Sequence, residues 1–381
     1  MIYMDNAATT PVKAEVLAAM LPYMDEYYAN PSAVYRFAGD TAKAVRASRE
    51  SLGAKIGALT EEIYFTSGGS ESDNWALFSV CEERAFKDCH IITSQIEHHA
   101  VLNTCKRLEK LGVRITYVPV LPDGIIDISF LEKSISSDTV MISVMAANNE
   151  IGTIEPIADI GAIAHEHNVL FHTDAVQAFG HIPIDVAKMN IDMLSASAHK
   201  LGGPKGVGLM YVRKGLMISP FISGGSQERG RRAGTTNAPG IVGFGAAGDI
   251  AFKDMDRDRE YVSGLRDRLI RGVLTSVPDS RINGSEIDRL PGNVNFCFEG
   301  IEGETLLILL DRDGICASSG SACTTGAVDP SHVLMAIGRT RSEAKGSLRL
   351  TLSSDNTAEE VDEVIEKIQR IVAKLRSMTA N

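Results

Sequence analysis

At 381 residues, with 44% hydrophobic and 23% charged side chains, the chain can bury a sizeable core and exceeds what one ordinary core covers. A lone small module and a disordered chain are both excluded. A formal net charge of −11 repels phosphate backbones and anionic lipid, so neither direct nucleic-acid binding nor a membrane partner is expected.

Helix-period segments alternate with short β-branched runs along most of the chain, the pattern of parallel βαβ units, and the class is α/β. In chain order, helices are expected over 11–27, 40–56, 70–86, 98–111 and 156–167, and strands over 90–93, 114–118, 139–144, 169–173, 193–196 and 206–212. From 239 to 273 the pattern turns mainly helical, with a break expected near Asp254. Beyond it, 293–298, 314–317 and 347–352 read as one small sheet with helices around 304–310 and 358–375. The expected organisation is a large domain over 15–254 and a smaller α+β domain formed by 1–14 and 255–381.

Six cysteines, Cys81, Cys89, Cys105, Cys297, Cys316 and Cys323, form no CxxC pair and no metal-ligand spacing. They read as free thiols of a reducing compartment, with no metal site. The opening residues carry no basic segment followed by an apolar one, and no apolar run reaches the roughly 18 residues that span a bilayer, so a cytoplasmic location is expected. Gly243, Gly245 and Gly248 spell GxGxxG, but no strand precedes them and Pro239 opens a helix already under way, so they read as packing glycines.

Three segments carry chemistry. His199 and Lys200 end a run of small residues after a strand; taken alone, that segment favours a solvated turn lysine, with Lys205 as a competing amine in a Gly/Pro turn. Asp174 closes a buried-looking strand, where ligands of open α/β sheets bind, although a helix N-cap explains it equally well. Gly68, Gly69 and Ser70 lead into a helix whose N-terminus suits a phosphate, although Ser67 to Glu71 also fits an ordinary capping box. Together they offer an amine, a counter-charge and an anion cradle, the three things pyridoxal 5'-phosphate requires.

With these residues in view the chain resembles the NifS/IscS-type cysteine desulfurases, class V enzymes of fold type I. The likeness covers essentially the whole chain and is most specific at Asn30-Pro31-Ser32, Glu97-His98, Asn148-Asn149-Glu150, His172-Thr173-Asp174, Ala198-His199-Lys200, Arg232-Ala233-Gly234-Thr235 and Ser321-Ala322-Cys323. The resemblance implies a large domain with a mostly parallel sheet flanked by helices, plus the smaller domain carrying the cysteine loop. It implies Lys200 as the imine-forming lysine, Asp174 at the ring nitrogen, His98 stacked on the ring, and Gln177 and Asn149 beside its phenolic oxygen. Gly69, Ser70, Ser197 and His199 fall at phosphate positions. Thr235 falls at the residue reaching the phosphate from a second subunit, which implies a homodimer. Arg349, with Asn149, would hold the substrate carboxylate. Two departures stand out: Gly69-Ser70 replaces a frequent Ala-Thr, which loosens the backbone, and the residues after Arg349 lack a Gly-aromatic continuation.

The implied reaction converts L-cysteine to L-alanine and leaves the sulfur as a persulfide on Cys323, for a sulfur acceptor such as an iron-sulfur scaffold or a tRNA thiolation enzyme. Cys323 sits among small residues in 317–326 and is expected to be exposed and mobile; Cys297, between Phe296 and Phe298, reads as a buried core cysteine. A thiol of ordinary pKa about 8.5 is only a few per cent thiolate at neutral pH, and this loop holds no Lys, Arg or His, so His98 is expected to help move protons. A selenocysteine lyase and a class V aminotransferase share Lys200 and Asp174 and remain alternatives, as does a docking platform for cluster assembly.

Overall fold

The computed structural model describes residues 1–319 and 330–379. Its elements run β1 (Ile2–Tyr3), α1 (Ala14–Met20), α2 (Pro22–Asp25), α3 (Gly39–Lys55), β2 (Ile63–Thr66), α4 (Gly69–Glu82), β3 (His90–Ser94), α5 (His99–Glu109), β4 (Arg114–Val118), α6 (Ile128–Ser134), β5 (Thr139–Ser143) and α7 (Ile157–Glu166). There follow β6 (Leu170–Asp174), β7 (Met193–Ser197), β8 (Gly208–Val212), α8 (Ala238–Ser276), β9 (Ser280–Ile282), β10 (Asn293–Phe298), α9 (Gly303–Arg312), β11 (Ile315–Cys316), α10 (His332–Ala336), α11 (Arg341–Lys345), β12 (Ser347–Thr351) and α12 (Ala358–Thr379).

Seven strands form one sheet in the order β2-β8-β7-β6-β5-β3-β4. β3 to β7 are mutually parallel, and β8 pairs antiparallel with both β7 and β2. Both faces are covered, and the period-2 geometry of a strand sorts its residues between them. Ile92, Ile142, Leu194 and Leu209 enter a core with Leu52 of α3 and Phe244 of α8, while their neighbours Ile91, Met141, Met193 and Met210 enter one with Trp75 of α4 and Val101 of α5. A separate core gathers Phe296, Leu348 and Leu350 of the small sheet β12-β10-β9 with Leu306 of α9, Val364 of α12 and the second half of α8.

Three expectations are corrected. The helix expected over 11–27 is two helices, because Pro22 has no N–H to continue the first and instead opens the second. The helix expected to reach residue 86 stops at Glu82, where Ala85 and Phe86 take positive φ of 51° and 60°. The strand at 314–317 does not join the small sheet: β11 pairs in parallel with β1, and β9 supplies the sheet's third strand. β2, at only four residues, escaped the sequence reading.

The break expected near Asp254 is a fourth correction: helix α8 runs unbroken through it, contributing Ile241, Phe244 and Ala247 to one core and Val262, Leu265 and Leu269 to the other. Its GxGxxG is a packing device. A Cβ at Gly243, Gly245 or Gly248 would lie 2.6 Å from Met20 Sδ, 2.7 Å from Ser48 Oγ and 2.7 Å from Leu52 Cδ2 respectively. Among the described residues no helix is long and apolar enough to cross a membrane, and no group of His, Cys, Asp and Glu is arranged to hold a metal ion.

Candidate active site

Because β3, β5, β6 and β7 are parallel, their carboxyl ends lie along one edge, where an open α/β sheet leaves room for a ligand. There a cavity of about 420 Å³ opens. Its sheet side is made by Asn149, Asp174, Gln177, Ser197, His199 and Lys200. Gly69 and Ser70, at the start of α4, and His98, at the start of α5, close another side, and Arg349 of β12 reaches in from the small sheet. Lys205 is exposed on its turn and does not line the cavity. Thr235 is exposed on the surface outside it; nearby, Arg232 donates to both carboxylate oxygens of Glu71, at 2.7 and 3.0 Å. Cys323 lies outside the described residues.

Each side chain is held by short-range geometry. Lys200 Nζ donates to the carbonyls of Ala7 (2.5 Å) and Ala8 (2.8 Å), and Gln177 Nε2 donates to the same Ala7 carbonyl (3.1 Å). His199 Nδ1 lies 3.2 Å from Thr9 Oγ1, and burial pushes the ring's pKa down to about 4. His98 caps α5: its Nδ1 accepts from the Ala100 N–H at 3.1 Å, so the proton of the neutral ring resides on Nε2. Asp174 Oδ1 accepts from the Val176 N–H at 2.9 Å. Burial pushes the Asp174 carboxyl up, while the charges of His98 and Lys200 pull it down. Gly69 leaves no room for a side chain, since a Cβ there would sit 2.4 Å from Val176 Cγ2.

Beneath the cavity lies a buried polar layer to which the sequence reading gave no role. His172 is fully enclosed, with Nδ1 2.8 Å from Ser143 Oγ and Nε2 3.0 Å from Ser195 Oγ. Burial drives its pKa to about 3, so its 3.7 Å approach to Asp73 Oδ1 involves a neutral ring and is no ion pair. Burial and the Asp174 charge push the Asp73 carboxyl well up, and its Oδ1 has no hydrogen-bond partner. Asp73 also lines the cavity. The signal was present, an acid on the inward face of α4 just before Trp75-Ala76-Leu77, but an acid near a helix start ordinarily reads as complementing the helix dipole. Glu97, beside His98, accepts from Ser94 Oγ (2.7 Å) and the Met145 N–H (3.0 Å), and burial lifts it to about 8.

The cavity fits pyridoxal 5'-phosphate. It places a buried carboxylate, an amine on the next strand end, and a helix N-terminus with a hydroxyl around a volume suited to a small aromatic phosphate.

The Aminotransferase class-V family matches residues 2–364. The cysteine desulfurase IscS of Methanosarcina thermophila is 52% identical over 378 residues, covering 99% of this chain and 93% of that protein. The cysteine desulfurase IscS of Dictyoglomus turgidum is 48% identical over 378 residues, 99% of this chain and 96% of that protein. Among solved structures, a NifS-like protein superposes with a TM-score of 0.92 at 40% identity, covering 98% of this chain and 99% of that one. The structure titled SspA in complex with cysteine gives a TM-score of 0.83 at 38% identity, covering 93% of this chain and 99% of that one.

Proposed function

The chain belongs to the aminotransferase class-V family, and we infer from that membership that it is a pyridoxal phosphate-dependent cysteine desulfurase, turning L-cysteine into L-alanine and passing the sulfur on as a persulfide. The observation that carries the reading is the meeting of Lys200, Asp174 and Arg349 on one cavity in a chain about half identical to desulfurases.

When bound, pyridoxal 5'-phosphate supplies the electron sink that acidifies the substrate Cα–H and loosens its C–S bond. Lys200 Nζ is the amine that anchors the group and takes the Cα proton. Asp174, buried at the end of β6, would keep the ring nitrogen protonated. Gly69, Ser70, Ser197 and His199 seat the phosphate, and Gln177 and Asn149 orient the ring's oxygen. Arg349 holds the α-carboxylate with a planar fork that a lysine would not reproduce. His98 would lie against the bound group and move a proton at Nε2. Cys323 takes the sulfur.

We extend the reading to the assembly and its setting. Residues 15–254 form the large domain, and 1–14 with 255–381 the small one. The protein is a homodimer: Thr235 is exposed and does not line its own cavity, and Tyr28, Val34, Tyr35 and Phe37 leave a run of apolar side chains exposed. It works in the cytoplasm and passes sulfur to a protein acceptor such as an iron-sulfur scaffold or a tRNA thiolation enzyme.

Borohydride reduction of the yellow holoenzyme should leave a pyridoxyl adduct on the Lys200 peptide. Added L-cysteine should give alanine and the mass of one extra sulfur on the Cys323 peptide. Cys323→Ala should retain the adduct and lose sulfur transfer. Alanine formation at the normal rate in that variant would overturn the desulfurase reading in favour of a lyase.

A further inference from the structure

Arg349 already holds a carboxylate. It is 3% exposed, and its Nη2 donates to Asp5 Oδ1 at 2.8 Å, its Nη1 to the Asn149 carbonyl at 3.2 Å, while its buried Nε has no partner. Asp5 lines the same cavity as Arg349. It does not meet the arginine by chance of rotamer: Asp5 forms a parallel β-bridge with Thr351, two residues beyond Arg349 on β12, Thr351 N–H donates to the Met4 carbonyl (2.7 Å), and Asn6 Nδ2 donates to the Thr351 carbonyl (2.8 Å). The Ala8 N–H and the Tyr3 hydroxyl both donate to the carbonyl of Asp5, at 3.0 and 3.2 Å. The backbone of residues 4–6 is therefore stitched to the arginine's own strand, with the carboxylate delivered to the guanidinium.

We propose that Asp5 is a positioning residue that sets the charge of the carboxylate pocket, weakening its grip on any single carboxylate and rejecting substrates that carry a second acid. The inference rests on Arg349 being the holder of the substrate carboxylate. A bare buried guanidinium would attract anions indiscriminately; one already paired presents little net charge, so an α-carboxylate must bind by geometry and hydrogen bonds. A dicarboxylate brings a further negative charge beside Asp5, where like charges in a partly buried site repel. The pocket thereby favours small amino acids with one carboxylate that leave readily after reaction.

The test uses holoenzyme, with L-alanine, L-aspartate and sulfate as competitive inhibitors against L-cysteine. In the wild type, L-aspartate should inhibit at least about tenfold more weakly than L-alanine, the scale of one close charge pair; equal inhibition would overturn the proposal without any variant. Asp5→Asn should lower KM for cysteine and the inhibition constants of alanine and sulfate about three- to tenfold, lower that of aspartate further, and change kcat less than KM. Asp5→Glu should retain the wild-type preference for alanine over aspartate. A rise in KM and in every inhibition constant in Asp5→Asn, or no change in any, would show that Asp5 only braces the arginine and would overturn the proposal. Arg349→Ala separates this failure from the failure of the underlying reading: if it leaves KM and alanine inhibition unchanged, Arg349 does not hold the carboxylate, whereas a large effect there with a silent Asp5→Asn sinks only the charge-setting role.

Discussion

Replacing Ser331 with alanine removes two hydrogen bonds that meet on one hydroxyl. Ser331 Oγ accepts from the Leu334 N–H at 3.2 Å as the N-cap of α10, and donates to Glu150 Oε2 at 2.5 Å. Loss of an N-cap costs about 1 kcal/mol at any pH. The second bond depends on the state of Glu150, which burial raises from 4.5 to about 7 against the lowering influence of Ser331 and Arg349. An acid raised on folding binds more protons folded than unfolded, so its ionisation removes stability as pH climbs from about 4.5 through about 7. At pH 5 the carboxyl is protonated and the hydroxyl's bond to it contributes about 1 kcal/mol; at pH 8 it is a carboxylate, and the bond contributes about 2 to 3 kcal/mol. The variant should therefore lose about 2 kcal/mol at pH 5 and about 3 to 4 kcal/mol at pH 8. Thermal melting followed by circular dichroism at the two pH values measures the difference, about 2 to 4 °C of extra depression at pH 8 for each additional kcal/mol in a domain of roughly 150–250 residues. Equal depressions, or a larger one at pH 5, would refute the assignment of a buried, ionising Glu150 steadied by Ser331.

Arg289 donates to the carbonyls of Ser285 (2.7 Å), Ile151 (2.8 Å), Asn293 (3.3 Å) and Asn283 while only 4% exposed, so Arg289→Lys, which lacks the fork, should destabilise by about 2 to 4 kcal/mol in urea denaturation; a loss below about 1 kcal/mol would contradict that network. Glu155 accepts from the Ile126 N–H at 3.0 Å, and burial lifts it to about 8, so the folded state is penalised as pH rises from 4.5 through 8. Glu155→Gln keeps an acceptor for Ile126 and loses the charge, and should add about 1 to 3 kcal/mol of stability at pH 9 but not at pH 5, seen as a higher melting temperature at pH 9 alone.

The sequence reading succeeded where one periodicity ruled a whole element. The expected 114–118 and 293–298 coincide with β4 and β10, and the strand ends bearing Asp174 and Lys200 come together because parallel strands share a carboxyl edge. It failed where tertiary pairing decides. β2 is four residues long and owes its existence to β8, with which Ile63 to Thr66 pair residue for residue. Residues 314–317 carry the composition of a strand, yet nothing in that composition says that the partner is the chain's second residue. Asp5 lies 344 positions from Arg349, and no spacing rule connects them. Asp73 and Glu97 look like ordinary surface acids until burial makes them weak acids under the cavity floor.

Asp5 belongs to a segment, Tyr3 to Thr10, that bears on several of the site residues. Its Asp5 takes Arg349, its Ala7 and Ala8 carbonyls take Lys200, its Thr9 hydroxyl meets His199, and Thr10 Oγ1 donates to the His199 carbonyl (2.9 Å) while accepting from the Gly202 N–H (2.8 Å). Two of these contacts use backbone carbonyls, which explains the small side chains: a bulkier residue at the nearly buried Ala7 would hold the main chain away from the lysine. The same segment bonds to β12 through Met4 and Asn6 and pairs β1 with β11, so one short strap bears on the strand holding Arg349 and on the turn holding Lys200. The amine and the guanidinium are carried by elements packed into different hydrophobic cores, and this strap is one of the links between those elements that touches both functional groups.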